Sequence, residues 1–226
     1  MDAAARTSFI RANTEVLRSP LVPEIALHLA SEAVPLWLKT EEELGQIGLP
    51  PPFWAFAWAG GQALARYILD RPEIVAGRTV VDIASGSGIV AIAAALSGAA
   101  SVLAADIDQF ALDAIALNAG LNGVAIAVTV EDLLSQAPPH GEMILVGDLF
   151  YEKTTAARVF TWLNRAAGQG CHVLIGDPGR SYLPREALEE IADYQVPVTR
   201  DLEDALLKRS AVWRLRAASL DSPAPG

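Results

Sequence analysis

Val80-Val81-Asp82-Ile83-Ala84-Ser85-Gly86-Ser87-Gly88-Ile89 decides the fold. A short β-branched run ends in an acid, passes through a turn of small residues, and enters the uncharged apolar stretch Ile89–Leu96. This reads as a buried strand, a tight turn and a buried helix. Glycine at 86 and 88 allows unusual dihedrals and close backbone approach to a ligand, and the helix that follows presents free N–H groups.

Downstream the pattern alternates. Thr79–Ile83 predicts a strand, Ile89–Leu96 a helix, Ser101–Ala105 a strand and Phe110–Leu121 a helix. Ala125–Val130 and Met143–Val146 predict strands with no helix between them. Thr154–Ala167 predicts a helix, His172–Ile175 a strand, Arg185–Ala192 a helix, and Gln195–Thr199 and Ser210–Leu215 two closing strands. Such alternation implies an α/β sheet, mainly parallel, covered on both faces, with an antiparallel hairpin at one edge.

Upstream, Ser8–Leu44 is read as helical, cut by Pro20, Pro23 and Pro35. Leu49-Pro50-Pro51-Pro52 is read as a linker, and an aromatic segment leads into a helix at Gln62–Leu69. This divides the chain into a helical extension (1–48), the α/β domain (49–216) and a disordered tail (217–226).

Composition narrows the class. The chain has 226 residues, 52% hydrophobic and 19% charged, which suits an ordered globular protein. Its net charge of −10 argues against nucleic acid as partner, because phosphate contacts need clustered Lys and Arg. Cys171 is the single cysteine, so no internal disulfide forms, as in a reducing compartment. The N-terminus lacks a secretory layout, and the uncharged stretch from Gly88 to Ala105 is broken by Gly98, so no membrane span is expected. His28, assigned to a helix surface, His140 and His172 are scattered without metal-ligand spacing, and no metal is expected.

Two acids choose between nucleoside cofactors. A dinucleotide would bring pyrophosphate to the turn, where Asp82 would repel it. S-adenosylmethionine (SAM) instead brings an ammonium and a sulfonium. Asp106 ends the next strand, where a carboxylate accepts hydrogen bonds from ribose hydroxyls, and Ile107 follows it. Either acid alone is equally a helix cap. Asp132, after the third strand of this series, is placed for an adenine amine or simply for a loop. Trp58, ahead of Gly60 and Gly61, is placed to pack on the cofactor or in the core.

The turn from Asp82 to Gly88, with Ala84, Gly86 and Asp106, resembles motif I and the ribose acid of seven-β-strand, class I SAM-dependent methyltransferases. More narrowly, three strings resemble the lysine methyltransferases of the electron transfer flavoprotein β subunit. They are Trp58-Ala59-Gly60-Gly61-Gln62, Gly147-Asp148-Leu149-Phe150-Tyr151 and Gly176-Asp177-Pro178-Gly179-Arg180. The resemblance implies a Rossmann-like seven-stranded sheet, order 3-2-1-4-5-7-6, with the seventh strand antiparallel. It places the family's Asp-x-x-Tyr motif on Asp148 and Tyr151 as catalytic residues. Phe150, Asp177 and Arg180 fall in the substrate region. Many relatives have Gly where this chain has Ala84.

Without the resemblance, Asp148 reads as a cap of the following helix and Tyr151 as packing. With it, the expected activity is SAM-dependent methylation of a lysine on a partner protein, the flavoprotein β subunit. The compartment would be the cytoplasm, or the mitochondrial matrix in a eukaryote. The rivals are a ribosomal protein L11-type methyltransferase, a methyltransferase of a small heterocycle such as nicotinamide, and an inactive SAM-binding module. L11-type enzymes carry Asn-x-Leu where this chain has Asp148-Leu149-Phe150-Tyr151.

Overall fold

The computed structural model describes residues 2–30, 52–140, 142–197 and 207–216. The elements are α1 (Ala3–Asn13), β1 (Glu15–Ser19), β2 (Val22–Leu29), α2 (Ala59–Asp70), β3 (Thr79–Ile83), α3 (Ile89–Leu96), β4 (Ser101–Ala105), α4 (Gln109–Leu121), β5 (Ala127–Thr129), β6 (Met143–Gly147), α5 (Lys153–Gly168), β7 (His172–Asp177), β8 (Leu188–Pro197) and β9 (Leu207–Leu215). Seven strands form one sheet in the order β5-β4-β3-β6-β7-β9-β8. Counted from β3, this is 3-2-1-4-5-7-6. The first five strands pair in parallel, and β9 runs antiparallel to both neighbours.

Side chains along the central strands alternate between two cores. Val80, Leu145 and Leu174 pack with α2 and α3 on one face. Val81, Ile144, Val146, Val173 and Ile175 pack with Val159, Trp162 and Leu163 of α5 on the other. The sequence from Gly88 to Ala105 divides into α3 and β4, and no helix among the described residues is long and apolar enough to cross a membrane.

The helical reading of Ser8–Leu44 holds only to Asn13. Residues 15–29 form a β-hairpin closed at Pro20-Leu21, and the part beyond residue 30 lies outside the described residues, as do the linker prolines 50 and 51 and the tail. The prolines that looked like breaks between helices lie in the turn (Pro20) and in a strand (Pro23). The outer edge of β2 is satisfied by side chains of α4. Asn122 accepts from Ala26 N at 2.9 Å and donates to Ala26 O at 2.7 Å, and Asn118 accepts from His28 N at 2.7 Å. That tertiary pairing overrides a weak local preference. His28 is therefore a buried strand residue, 3.1 Å from Thr14 Oγ1, and burial lowers its pKa.

The predicted helix Arg185–Ala192 is also overturned. Only a 3-10 turn, Arg185–Ala187, precedes β8, although Glu-Ala-Leu-Glu-Glu favours helix. Cross-strand partners decide it: Glu189 stands opposite Arg214 and binds its guanidinium at 2.9 and 3.0 Å, and Arg209 reaches Glu190 and Asp193. Cys171 is buried, its thiol 3.0 Å from Pro139 O.

Candidate functional site

A cavity of about 560 Å³ opens at the carboxyl ends of β3, β4 and β6, where open α/β sheets bind ligands. Its floor is the turn after β3, with Ala84 (φ 53°) and Gly86 (φ 55°) in the left-handed region. Asp106 stands at the side. One carboxylate oxygen accepts from Gly86 N at 2.9 Å and the other from Asp108 N at 3.0 Å, so this acid fixes the turn and faces the cavity at once. Burial pushes its pKa up, against the backbone N–H bonds it accepts.

Asp82 plays a different part from the one expected. It is 1% exposed and lies under the turn, where Oδ2 accepts from the Ser85 hydroxyl and from Ala91 N at 3.2 Å. It does not line the cavity, because the strand's alternation turns its side chain into the packed layer below. Burial, first among its causes, raises its pKa to about 7. Gly88 (φ 81°) likewise supports α3 from beneath.

Asp106, Ile107 and Asp132 all line the cavity, Ile107 as a side chain 75% exposed. Asp132 caps the 3-10 turn Leu133–Ser135 and pairs with Arg158 at 2.7 Å, and that hydrogen bond lowers its pKa. Asp108, not among the expected site residues although it completes the Asp-Ile-Asp string at 106–108, caps α4 through Phe110 N at 2.9 Å and also lines the cavity, with burial lifting its pKa to about 6. An acid one residue before a helix was the available signal.

At the other end of the cavity, Asp148 follows β6 with φ 58°. Its Oδ2 accepts from Gly60 N, in the first turn of α2, at 3.0 Å, and its Oδ1 accepts from Arg180 Nε at 2.6 Å. It is no cap of α5, whose N-cap is Glu152. Gly60 and Gly61 lie behind this carboxylate, not on the cavity wall. The Arg180 guanidinium also lies 6.0 Å from the centre of the Trp58 ring.

Trp58 lines the cavity, donating from Nε1 to Phe53 O at 3.0 Å. Phe53 contacts both Trp58 and Tyr151, with ring centres 6.1 and 5.8 Å away, so three aromatic rings frame the mouth beside Asp148. Tyr151 is half-exposed, and burial raises its pKa.

Two expected substrate residues lie elsewhere. Phe150 is 0% exposed in the core with Val146 and Trp162, because the left-handed bend at Asp148 turns the next aromatic inward. Asp177 is 1% exposed and serves the loop: Oδ1 accepts from Gly179 N and Arg180 N, each at 2.7 Å. It holds the backbone that presents Arg180, and burial raises its pKa to about 6. Among the described residues no three His, Cys, Asp or Glu side chains gather as a metal site would require.

The sheet order, with a cavity at its carboxyl edge, is that of the class I methyltransferase fold. Solved structures agree on the fold. The tRNA (uracil-54, C5)-methyltransferase of Pyrococcus abyssi, solved with S-adenosyl-L-homocysteine, superposes with a TM-score of 0.50 at 18% identity, covering 67% of this chain and 38% of that one. The profile of the ribosomal protein L11 methyltransferase family (PrmA) matches residues 62–146.

Closer similarity is to the electron transfer flavoprotein beta subunit lysine methyltransferases. That of Danio rerio is 42% identical over 214 residues, 92% of this chain and 82% of that protein. That of Homo sapiens is 35% identical, over 91% and 80%. The chain belongs to this family.

Proposed function

We propose that the chain binds SAM in the cavity bounded by Ala84, Gly86, Asp106 and Asp132, and transfers its methyl group to a lysine of the electron transfer flavoprotein β subunit. The cavity suits the cofactor on its own chemistry. A turn with left-handed Ala84 and Gly86 admits close approach, carboxylates face the places where a cationic nucleoside needs acceptors, and no basic side chain lines the turn itself. The observation that carries the substrate reading is Asp148, a carboxylate held on the cavity wall beside a three-ring aromatic mouth.

When bound, SAM supplies a methyl carbon whose bond to sulfur breaks as a nitrogen lone pair forms the new one, leaving S-adenosylhomocysteine. The residues of the chain must then deliver a neutral amine. A lone carboxylate would do the opposite, since it stabilises ammonium and raises a lysine pKa already near ~10.4. Arg180, at 2.6 Å from Asp148, offsets that charge. The pair presents an acceptor without a net negative field, so Asp148 orients the amine through its N–H and takes up the released proton directly or through water. Trp58, Phe53 and Tyr151 exclude water from the mouth and give the lysine methylenes an apolar channel.

The match to the L11-type profile ends at residue 146, before Asp148, Tyr151 and the Gly-Asp-Pro-Gly-Arg loop. The residues argued to meet the substrate therefore lie outside that likeness. The test is incubation with labelled SAM and purified electron transfer flavoprotein, followed by peptide mapping. Label on a β-subunit lysine is expected. An unlabelled β subunit, with label taken up by ribosomal protein L11 or nicotinamide offered in parallel incubations, would overturn the substrate assignment.

A further inference from the structure

We infer that Asn118 is a positioning residue for the cofactor turn, tying that turn to the N-terminal hairpin. Asn118 lies on α4, is 0% exposed, and touches no part of the cavity. Its amide works in two directions. Nδ2 donates to Ser87 O at 2.8 Å, inside the turn between Gly86 and Gly88, and Oδ1 accepts from His28 N of β2 at 2.7 Å.

Ser87 O belongs to a turn that strand and helix alone leave underdetermined. The turn's other fixed points are Gly86 N on Asp106, the Ser85 hydroxyl on Asp82, Ser85 N on Ala105 O, and Gly88 N on Ser85 O. Asn118 is the side chain that holds the Ser87–Gly88 peptide at its carbonyl oxygen, while Gly88 N at the other end of that peptide donates to Ser85 O. The two flanking glycines, both at positive φ, resist its rotation little, so these two bonds together set its orientation. A rotated Ser87 peptide would shift the adjoining Gly86, which lines the cavity and donates from its N–H to Asp106. Because the same amide holds β2, a loosened hairpin would also loosen the turn.

The fold supplies a control. Asn122, one helical turn further on, clamps the same strand through Ala26 N and Ala26 O, and its remaining bond goes to Asn118 O within its own helix. It does not reach the cofactor turn. Both asparagines therefore secure the hairpin, and only Asn118 also secures Ser87.

The inference rests on the proposed cofactor site but not on the lysine substrate. It is tested by calorimetric titration of S-adenosylhomocysteine into the full chain, with thermal melting alongside. Asn118→Ala is expected to weaken binding by about tenfold or more, the loss of one buried hydrogen bond and its orphaned partner, with kcat at saturating SAM little changed. Asn122→Ala is expected to lower Tm comparably and leave affinity within about twofold. If Asn118→Ala does not fold, Asn118→Asp, which keeps the acceptor for His28 and loses the donor to Ser87, is compared with Asn122→Asp at alkaline pH. Equal affinity losses in the two positions, or none in either, would overturn the inference. Failure of the unmodified chain to bind would instead remove the cofactor site itself.

Discussion

Gly60 and Gly176 meet backbone to backbone. A Cβ built on Gly60 would lie 2.4 Å from Gly176 O, and one on Gly176 would lie 2.1 Å from Gly60 O. This contact lets the amino end of α2 reach the carboxyl end of β7, and Gly60 N there meets Asp148 Oδ2 at 3.0 Å while Asp148 N donates to Gly176 O at 2.8 Å. The glycines of Trp-x-Gly-Gly-Gln and Gly-Asp-Pro-Gly-Arg thus hold the proposed catalytic carboxylate. Gly176→Ala should lose roughly 1–3 kcal/mol by overpacking and most of the methyl transfer with it. Gly168→Ala, in α5 with open space around its Cα, should instead gain roughly 0.5–1 kcal/mol. Chemical denaturation and turnover on both variants test the contrast.

Asp148→Asn is the sharpest probe of the mechanism. Asparagine tolerates the left-handed conformation at this residue, so the fold should persist. It can still accept from Gly60 N, but it carries no charge for Arg180 and takes up no proton. Affinity for SAM should stay nearly unchanged while turnover falls on the order of 100-fold or more. Full turnover by this variant would remove Asp148 from the chemistry.

Much of this arrangement was legible in the sequence. Asp82-to-Gly88 and the alternating strands announced the sheet, because a parallel core demands continuous apolar runs that only a buried strand or helix explains. The closing antiparallel pair was legible at Gln195 and Ser210–Leu215, but the hairpin at 15–29 and the first half of β8 were not, since their partners, Asn118, Asn122, Arg209 and Arg214, are distant in sequence. That Asp82, Asp177 and Phe150 are buried off the cavity wall was not legible for a related reason. Spacing places a residue near the carboxyl edge of the sheet, but which way its side chain points is set by strand alternation at Asp82, by the loop N–H groups of Gly179 and Arg180 at Asp177, and by the left-handed bend at Asp148 for Phe150.

Asp82 carries a cost that depends on pH. Its pKa in the folded chain, about 7, lies above the ordinary value of 3.8, so the folded state binds this proton more tightly than the unfolded one. The stability it confers is greatest below pH ~4, declines as pH rises to about 7, and is then gone. Asp82→Asn keeps an acceptor for the Ser85 hydroxyl and Ala91 N without the buried charge. The variant should match the parent near pH 4 and exceed it above pH ~7, by about 4 kcal/mol at most. Melting curves across this range decide it, and an advantage confined to acid pH would contradict the assignment.

Ala84 holds φ 53° with a methyl group to accommodate. Left-handed backbone costs an L-residue roughly 1–2 kcal/mol, while glycine returns about 0.5–1 kcal/mol of that through the entropy of the unfolded chain. Ala84→Gly should therefore raise Tm by about 1–4 °C. An unchanged or lower Tm would mean that the methyl group's packing against the α5-side core offsets the strain.

Phe150 and Tyr151 are neighbours in sequence with opposite fates, and truncating each should separate stability from catalysis. Phe150→Ala empties a fully buried site and should cost about 3–5 kcal/mol, a drop visible in denaturant midpoint. Tyr151→Ala removes a half-exposed ring from the mouth beside Phe53, so stability should change by less than about 1 kcal/mol. Its effect belongs in the kinetics, as a raised KM for the protein substrate and a lowered kcat. A Tyr151→Ala enzyme with both constants intact would take the aromatic mouth out of substrate recognition and leave Asp148 and Arg180 to orient the amine alone.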